Sequence, residues 1–172
     1  MDMKFAPLTI SVVQLLIEPG EFFRGLTRTT SLKKAMEFIG LGSVFYAVSS
    51  LLIGASPQAP WPMGAIFFFN ALGACLISSL IAYGIGGILC RQKIGVAHFF
   101  MIHAFAWGIT LFLSWLPFLL WLTEPWKWWL IYLGYRHSCR IGQRMALCIV
   151  GGTLVVQFSL FYWVMPFMVA AS

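Results

Sequence analysis

Three arginines recur at every fourth position late in the sequence, at Arg136, Arg140 and Arg144. A four-residue step places side chains on one face of a helix, so these arginines would form a line of positive charge. Such a line could bind the phosphates of a nucleic acid, hold an anionic substrate, or anchor the chain at a membrane surface. The rest of the sequence has to decide among these three hypotheses.

Histidines are the second group of side chains that could do chemistry. Imidazoles at matching depth on two helices can ligate haem, which makes His103 and His137 weak candidates for a haem pair. A single histidine in an aromatic-rich helix is more often a hydrogen-bonded core or interfacial residue. We therefore predict no resident cofactor.

The motifs of common catalytic sites are missing from the sequence. It contains neither G-x-S-x-G, nor a P-loop, nor H-E-x-x-H. The four cysteines show no C-x-x-C spacing and lie in or beside apolar segments, so we predict neither a metal site nor a disulfide framework. These observations predict a protein that is not an enzyme.

The composition indicates a membrane protein. Of 172 residues, 60% are hydrophobic and only 9% are charged, and the mean hydropathy is +0.88. A water-soluble domain needs far more charge to cover its surface. Several apolar stretches approach or exceed the roughly 18 to 20 residues that a helix needs to cross a bilayer. We therefore predict an all-α integral membrane protein of one domain, and nucleic acid is excluded as a partner.

The apolar stretches predict a bundle of five transmembrane helices preceded by an N-terminal amphipathic interfacial helix in segment 5–30. The apolar run 5–17 resembles part of a signal peptide, but no small-x-small cleavage site follows it, which favours the interfacial helix. The five predicted spans are 37–55 (TM1), 64–90 (TM2), 97–116 (TM3), 125–140 (TM4) and 144–169 (TM5).

TM4 is the ambiguous span, because a helix from Pro125 to Arg140 is only about 24 Å long. The positive-inside rule decides in favour of crossing. With five spans, ten of the eleven basic residues lie in the cytoplasm and only Lys127 lies outside. The arginine line is then a cytoplasmic-face anchor, with anionic-lipid contact as an addition. The N-terminus is predicted to be cytoplasmic and the C-terminus to lie on the opposite side.

Two further patterns fit this topology. Small residues recur every fourth position in TM2 and form a stripe for close helix packing, either within the bundle or in a dimer, and we predict packing within the bundle. The stripe consists of Ala74, Ser78, Ala82 and Gly86. Tryptophans at 121, 126, 128 and 129, with Trp61, predict an aromatic belt at one membrane face.

Several segments, taken in order, resemble the Yip-domain family of multi-span membrane proteins, and the likeness covers nearly the whole chain. "EPGEFFRGL" and "KKAMEF" resemble the opening of the family, "KIGVAHFFMIHAFAW" its third span, and "SWLP" the proline exit from that span. The positions that carry the resemblance are Pro19, Phe22, Phe23, Ala35, Phe38, Pro117, Trp126, Leu133, Gly134 and Ala146. The resemblance implies a five-span bundle of the short bacterial type, in the cytoplasmic (inner) membrane, with no known catalytic residues.

Our first hypothesis for function is a non-enzymatic scaffold or accessory subunit of a membrane assembly, with membrane lipids and other membrane protein subunits as partners. The alternative is a small transporter or channel subunit, whose polar residues would line a path. The candidates for that path are Asn70, Ser78, Ser79, His103 and Gln157. A second alternative is the membrane anchor subunit of a redox complex, for which a haem spectrum is the test.

Overall fold

A computed structural model describes residues 8–29, 32–53, 60–90 and 94–170. These residues form seven α-helices and one single-turn 3-10 helix (Pro117–Leu119), and no strand occurs among them. The α-helices are α1 (Leu8–Ile17), α2 (Pro19–Thr29), α3 (Leu32–Ile53), α4 (Pro60–Leu89), α5 (Val96–Ser114), α6 (Leu120–His137) and α7 (Gln143–Ala170).

Four of these helices, α3, α4, α5 and α7, are long and apolar enough to cross a membrane. The chain is therefore an all-helical protein suited to a membrane. Helix α6 is not among the four, because its 18 residues include the charged Glu124, Lys127 and Arg136. The assignment of α6 as a fifth crossing needs evidence beyond its length and composition.

Two helices begin before the spans predicted within them. Helix α3 begins at Leu32, ahead of the predicted TM1 at 37–55, and Lys33 and Lys34 belong to its first turn. Lysine permits this, since its long stem can lie along an apolar helix while the ammonium reaches water. Helix α6 begins at Leu120 rather than at 125, so Pro125 lies in its second turn. The missing N–H of Pro125 removes only one hydrogen bond of that helix.

Helix α5 is the centre of the bundle, and α3 crosses it at very short range. A Cβ built on Gly42 of α3 would lie 2.9 Å from the carbonyl oxygen of Gly108 in α5. Next to this crossing, the ring of Phe38 packs against that of Phe105, with their centroids 5.4 Å apart. Because successive residues of α3 meet successive residues of α5, the two helices run parallel. Glycine is required at Gly42, since a side chain there would meet backbone.

The N-terminal segment is not the single interfacial helix that the sequence predicts. It divides at Glu18, and Pro19 opens a second helix, α2. The apolar face of α2 packs into the bundle: Phe23 is fully buried, and the Phe22 ring centroid lies 5.0 Å from that of Phe105. An amphipathic pattern shows only that one face of the helix is removed from water. In this protein α5 and α6, and not lipid, pack against that face.

Helix α4 has two opposite faces that both carry small residues. On the first, Ser78, Ala82 and Gly86 are buried and Ala74 is half-buried. The second, which we call the α4 outer face, follows a spacing of four and three residues along the helix. It consists of Gly73, Ile77, Leu80, Gly84 and Gly87. No atom beyond the adjacent backbone lies within 4 Å of a Cβ built on any of its three glycines.

Candidate functional site

Helices α5 and α6 lie side by side along their whole length. Near the end of α5, the Ser114 hydroxyl donates a hydrogen bond to Thr123 Oγ1 at 3.2 Å. Near the start of α5, His98 Nε2 lies 2.5 Å from Ser138 Oγ, just beyond the last residue of α6. The end of α5 therefore contacts the start of α6, and the start of α5 contacts the end of α6. The two helices are antiparallel.

A hydrogen bond between His103 and Tyr135 joins the middle part of α5 to the last turn of α6. His103 Nε2 lies 2.7 Å from the Tyr135 hydroxyl oxygen, and both side chains are fully buried. The other ring nitrogen of His103, Nδ1, is buried and has no hydrogen-bond partner among the residues that the structure describes. Buried polar atoms are nearly always bonded in native proteins, so a free imidazole nitrogen in a helix bundle requires explanation.

Lys127 of α6 is a buried cation. Its residue exposure is 4%, its ammonium lies 2.6 Å from Glu124 Oε1, and the same ammonium lies 3.8 Å from the ring centroid of Trp107. The Glu124 side chain is 52% exposed, so the ion pair extends from the bundle interior to its surface. The carboxylate and the ring face both stabilise the ammonium, which would otherwise be costly to bury.

Helix α4 adds further polar groups beside this ion pair. Cys75 of α4 and His103 of α5 both interact electrostatically with Lys127. Ser78 lies one turn from Cys75 on the buried face of α4. Within the described part of the chain, neither its hydroxyl nor the indole nitrogen of Trp107 has a hydrogen-bond partner. The interior around Lys127 therefore holds more polar atoms than the protein satisfies.

We call the line of polar side chains between α5 and α6 the polar seam. It consists of Ser114, Thr123, Glu124, Lys127, Trp107, His103, Tyr135, His98 and Ser138. Most of these groups can take up or release a proton. The Ser138 hydroxyl lies 2.5 Å from His98 Nε2, which is the contact that a serine nucleophile makes with a general base. Among the described residues, no three His, Cys, Asp or Glu side chains are grouped so that they could hold a metal ion.

His103 and His137, the two candidate haem ligands, contact different residues. His103 is bonded to Tyr135 inside the bundle, whereas His137 Nδ1 lies 3.5 Å from an Arg24 guanidinium nitrogen of α2. The ring of His137 also rests against Gly20 of α2. The structure therefore does not bring His103 and His137 together around a common space.

The arginines do not form a stripe on one helix, which corrects the expectation from their spacing. Arg136 belongs to α6 and Arg144 to α7, while Arg140 lies in the turn between them with a φ of 53°. That φ is in the left-handed region, which no helix continues through. All three are exposed at the α6–α7 turn, and Arg136 donates to Tyr132 Oη at 3.3 Å and to Gln143 Oε1 at 3.4 Å.

Arg144 also lines an open groove beside this turn. The groove has a volume of about 770 Å³ and is otherwise largely apolar, with Leu89 of α4 and Met145, Leu147 and Cys148 of α7 in its wall. A positive group at the mouth of an apolar groove suits an anionic lipid. The role of the arginines as a surface anchor stays a prediction, and the structure shows them as exposed groups of a turn.

Gly134 is the family-motif position with the clearest packing reason. A Cβ on Gly134 of α6 would overlap Ile102 of α5 and lie 3.3 Å from the ring of Phe23 in α2. Three helices therefore meet at this glycine. The other motif positions lie as follows: Phe22, Phe23, Ala35, Phe38 and Ala146 are buried, Trp126 and Leu133 are half-buried, Pro19 opens α2, and Pro117 begins the 3-10 turn.

The five residues considered for a transport path do not converge. Ser78 and His103 are buried near the polar seam, whereas Asn70 is exposed. The Ser79 hydroxyl donates to the carbonyl of Leu76 in its own helix at 2.8 Å. Gln157 is half-buried in α7, and its side-chain oxygen has no partner.

Sequence reasoning missed the central residue of the site, Lys127. It was placed outside the membrane because it precedes the apolar part of α6. A signal was available: Glu124 and Lys127 are three residues apart, which places opposite charges on one helix face within an otherwise apolar, tryptophan-rich stretch. Tyr135 and Trp107 carry no such signal, because only the alignment of α5 with α6 brings them to the seam.

The chain matches no family model, no curated protein and no solved structure. The Yip-domain resemblance therefore stays a prediction, supported by the sequence motifs alone.

Proposed function

We propose that the chain is a non-enzymatic integral membrane protein with five crossing helices, which serves as a scaffold or accessory subunit of a larger membrane assembly. The observation that carries the proposal is the α4 outer face. Ile77 and Leu80 are about half exposed there, and the three glycines leave room for another backbone to approach. Lipid needs no such clearance, whereas a partner helix packs closely against small residues.

The fifth crossing is supported by the pairing of α5 with α6. Helix α5 is long and apolar enough to span the membrane, and a helix paired with it from end to end covers the same depth. The 18 residues of α6 extend about 27 Å, close to the thickness of the hydrocarbon core. Lys127 does not oppose the crossing, because it faces the bundle interior and not lipid.

The distribution of basic residues supports the orientation. The α6–α7 turn with its arginines lies at the same end of the bundle as Arg24 of α2 and Lys33 of α3, since Arg24 contacts His137 and α3 runs parallel to α5. The positive-inside rule assigns this end to the cytoplasm. The C-terminus then lies on the opposite side, and the Yip-domain resemblance favours a bacterial cytoplasmic membrane.

The topology can be tested with a single accessible thiol. Cys139 is unsuited, because it is 7% exposed and burial raises its pKa to about 12. We expect Arg140→Cys, with the native cysteines replaced, to react with an impermeant maleimide only from the cytoplasmic side. A tag after Ser172 should be reachable only from the other side. Reaction of the thiol at position 140 only from the outside, with the tag reachable only from the cytoplasm, would show that α6 does not cross and would contradict five crossings.

The scaffold proposal is tested by affinity purification from native membranes in mild detergent, followed by mass spectrometry. The wild-type chain should retain a stoichiometric partner, and Gly84→Leu on the α4 outer face should lose it. Gly151→Leu is the matched control, since Gly151 on α7 also has open space around it. No stoichiometric partner in the wild-type sample, or full retention by Gly84→Leu, would contradict the proposal.

A small transporter or channel subunit is the second candidate. The observation that favours it is the buried Lys127–Glu124 pair beside His103. Ionisable residues inside a membrane bundle are costly and usually mark ion paths or proton relays. Solute flux in proteoliposomes of the purified chain separates this candidate from a scaffold that moves nothing.

A further inference from the structure

We propose that the polar seam carries protons across the membrane between the two ends of the α5–α6 pair. The proposal rests on the second candidate function and is independent of the scaffold proposal. It names the proton as the transported species and His103 as the central relay group. The argument depends on the order of the side chains, on the free nitrogen of His103, and on the exclusion of larger ions.

The seam offers a polar group at roughly every helical turn. At one end, the half-exposed Glu124 is paired with Lys127. The next group inward is His103, one turn along α5 from the Trp107 ring that holds the Lys127 ammonium. Tyr135 is bonded to His103. One turn further along α6 lies the pair of Ser138 and His98, at the cytoplasmic end in the orientation proposed above.

His103 has the arrangement that a relay group needs. Its Nε2 is hydrogen-bonded to Tyr135. Its Nδ1, on the ring side away from that bond, is buried and has no partner among the described residues. An imidazole can accept a proton at one nitrogen and release a different one from the other. A histidine that serves only to stabilise the fold would be expected to have a hydrogen bond at each ring nitrogen, since an unpaired buried polar atom is destabilising.

Atoms and charge are conserved in the proton transfer at His103. A proton added to Nδ1 gives an imidazolium, and the proton on Nε2 then passes to the Tyr135 oxygen. The hydroxyl proton of Tyr135 passes through the Ser138 hydroxyl to the imidazole of His98, which releases it at the cytoplasmic end. Histidine and tyrosine end neutral, with the imidazole proton now on Nδ1. A return of the ring to its first tautomer completes the cycle. One proton enters and one leaves, and no electron moves.

The charges around the seam favour a proton over other ions. The titratable groups that face it are Cys75 from α4, His98 and His103 from α5, Glu124, Lys127 and Tyr135 from α6, and Cys139 from the α6–α7 turn. The Lys127 ammonium repels a metal cation, and it also opposes positive charge on His103, so the imidazolium is a short-lived intermediate of the relay. Atoms 2.7 Å apart, as in the His103–Tyr135 bond, leave no room for an ion between them, whereas a proton moves along such a bond.

The experiment uses the purified full chain in liposomes that contain a pH-sensitive dye. A potassium gradient with valinomycin sets the membrane potential, and the rate of internal pH change reports proton flux. We expect the wild-type chain to acidify the lumen faster than protein-free vesicles. His103→Gln keeps a group that can bond Tyr135 but exchanges no proton, so its flux should fall to the protein-free rate.

Two further variants keep the result interpretable. Tyr135→Phe removes only the hydroxyl and should also abolish flux, which tests the relay if His103→Gln does not fold. His137→Gln changes a histidine of α6 outside the seam and should keep wild-type flux. Wild-type flux at the protein-free rate, or full flux in either seam variant, would overturn the proposal. Chloride or potassium flux without proton flux would also overturn it while leaving the transporter candidate standing.

Discussion

Helices α5 and α7 are both apolar enough to cross a membrane, yet their surroundings differ. In the most apolar stretch of each helix, 56% of α5 residues are buried inside the protein against 22% for α7. Buried hydroxyls of α7 bond their own helix, as Thr153 does with the carbonyl of Ile149, whereas His103 of α5 bonds a neighbouring helix. Apolar character identifies a crossing helix, and polar contacts to other helices distinguish a central helix from a peripheral one.

The largest expected effect concerns the ion pair of the central region. Glu124→Gln leaves the buried Lys127 ammonium without its carboxylate and should lower the free energy of unfolding by about 3 kcal/mol. Lys127→Met should change it by less than about 1 kcal/mol, because Glu124 is half exposed and can be solvated. Thermal unfolding in detergent measures both variants. Equal losses of stability in the two variants would show that an unpaired Lys127 ammonium costs no more than an unpaired Glu124 carboxylate.

The next effect concerns the crossing of α3 with α5. Gly42→Ala places a methyl group against the carbonyl oxygen of Gly108 and should destabilise the protein by about 2 to 3 kcal/mol. Gly40→Ala, two residues earlier in α3, has open space and should stabilise the helix by up to about 1 kcal/mol. Thermal unfolding of the two variants should therefore shift in opposite directions. A tolerated Gly42→Ala would mean that the helices are further apart than described.

A smaller effect is expected on the buried face of α4. Ala82 is fully buried, so Ala82→Leu should overpack the contact and lower stability by about 1 to 2 kcal/mol. Ala65→Leu, at an exposed position of the same helix, is the control and should leave the unfolding profile unchanged. An unchanged profile for Ala82→Leu would remove this face from the core.

The smallest effect compares two serines directly. The Ser114 hydroxyl in α5 lies within hydrogen-bond distance of two acceptors, the carbonyl of Thr110 in its own helix at 2.8 Å and Thr123 Oγ1 of α6 at 3.2 Å. The Ser159 hydroxyl in α7 donates to the carbonyl of Val155 in its own helix. Ser114→Ala should cost about 0.6 kcal/mol, a usual value for a hydrogen bond between membrane helices. Ser159→Ala should cost nothing measurable. Equal costs would show that the contact with Thr123 adds no stability.

The apolar runs of the sequence predict the all-helical class and the four apolar crossing helices, because each crossing requires an uninterrupted apolar stretch. They do not predict how far each helix extends beyond its apolar part, since Lys33 and Lys34 lie before the predicted TM1 and yet belong to α3. Nor do they predict what covers an amphipathic face, since the pattern around Phe22 and Phe23 is the same for lipid and for protein.

The candidate site could be predicted only in part. His103 and Ser78 were recognised as polar residues within spans, because polar side chains are rare there. Lys127 was assigned to the outside, since its place relative to the bundle depends on how α6 aligns with α5. That alignment is set by the short connection after Ser114, with its 3-10 turn, and by contacts between residues about 30 positions apart, such as His103 with Tyr135.

The position of α2 has a consequence for biosynthesis. Phe23 is synthesised more than a hundred residues before Gly134, a residue that it packs against. Until α6 leaves the ribosome, the part of the apolar face of α2 around Phe23 lacks its α6 neighbour. Contacts between distant parts of a sequence form late in folding, and an uncovered apolar segment is prone to wrong association in the meantime. Completion of the bundle therefore depends on the packing of α2 against a helix, α6, that is made much later.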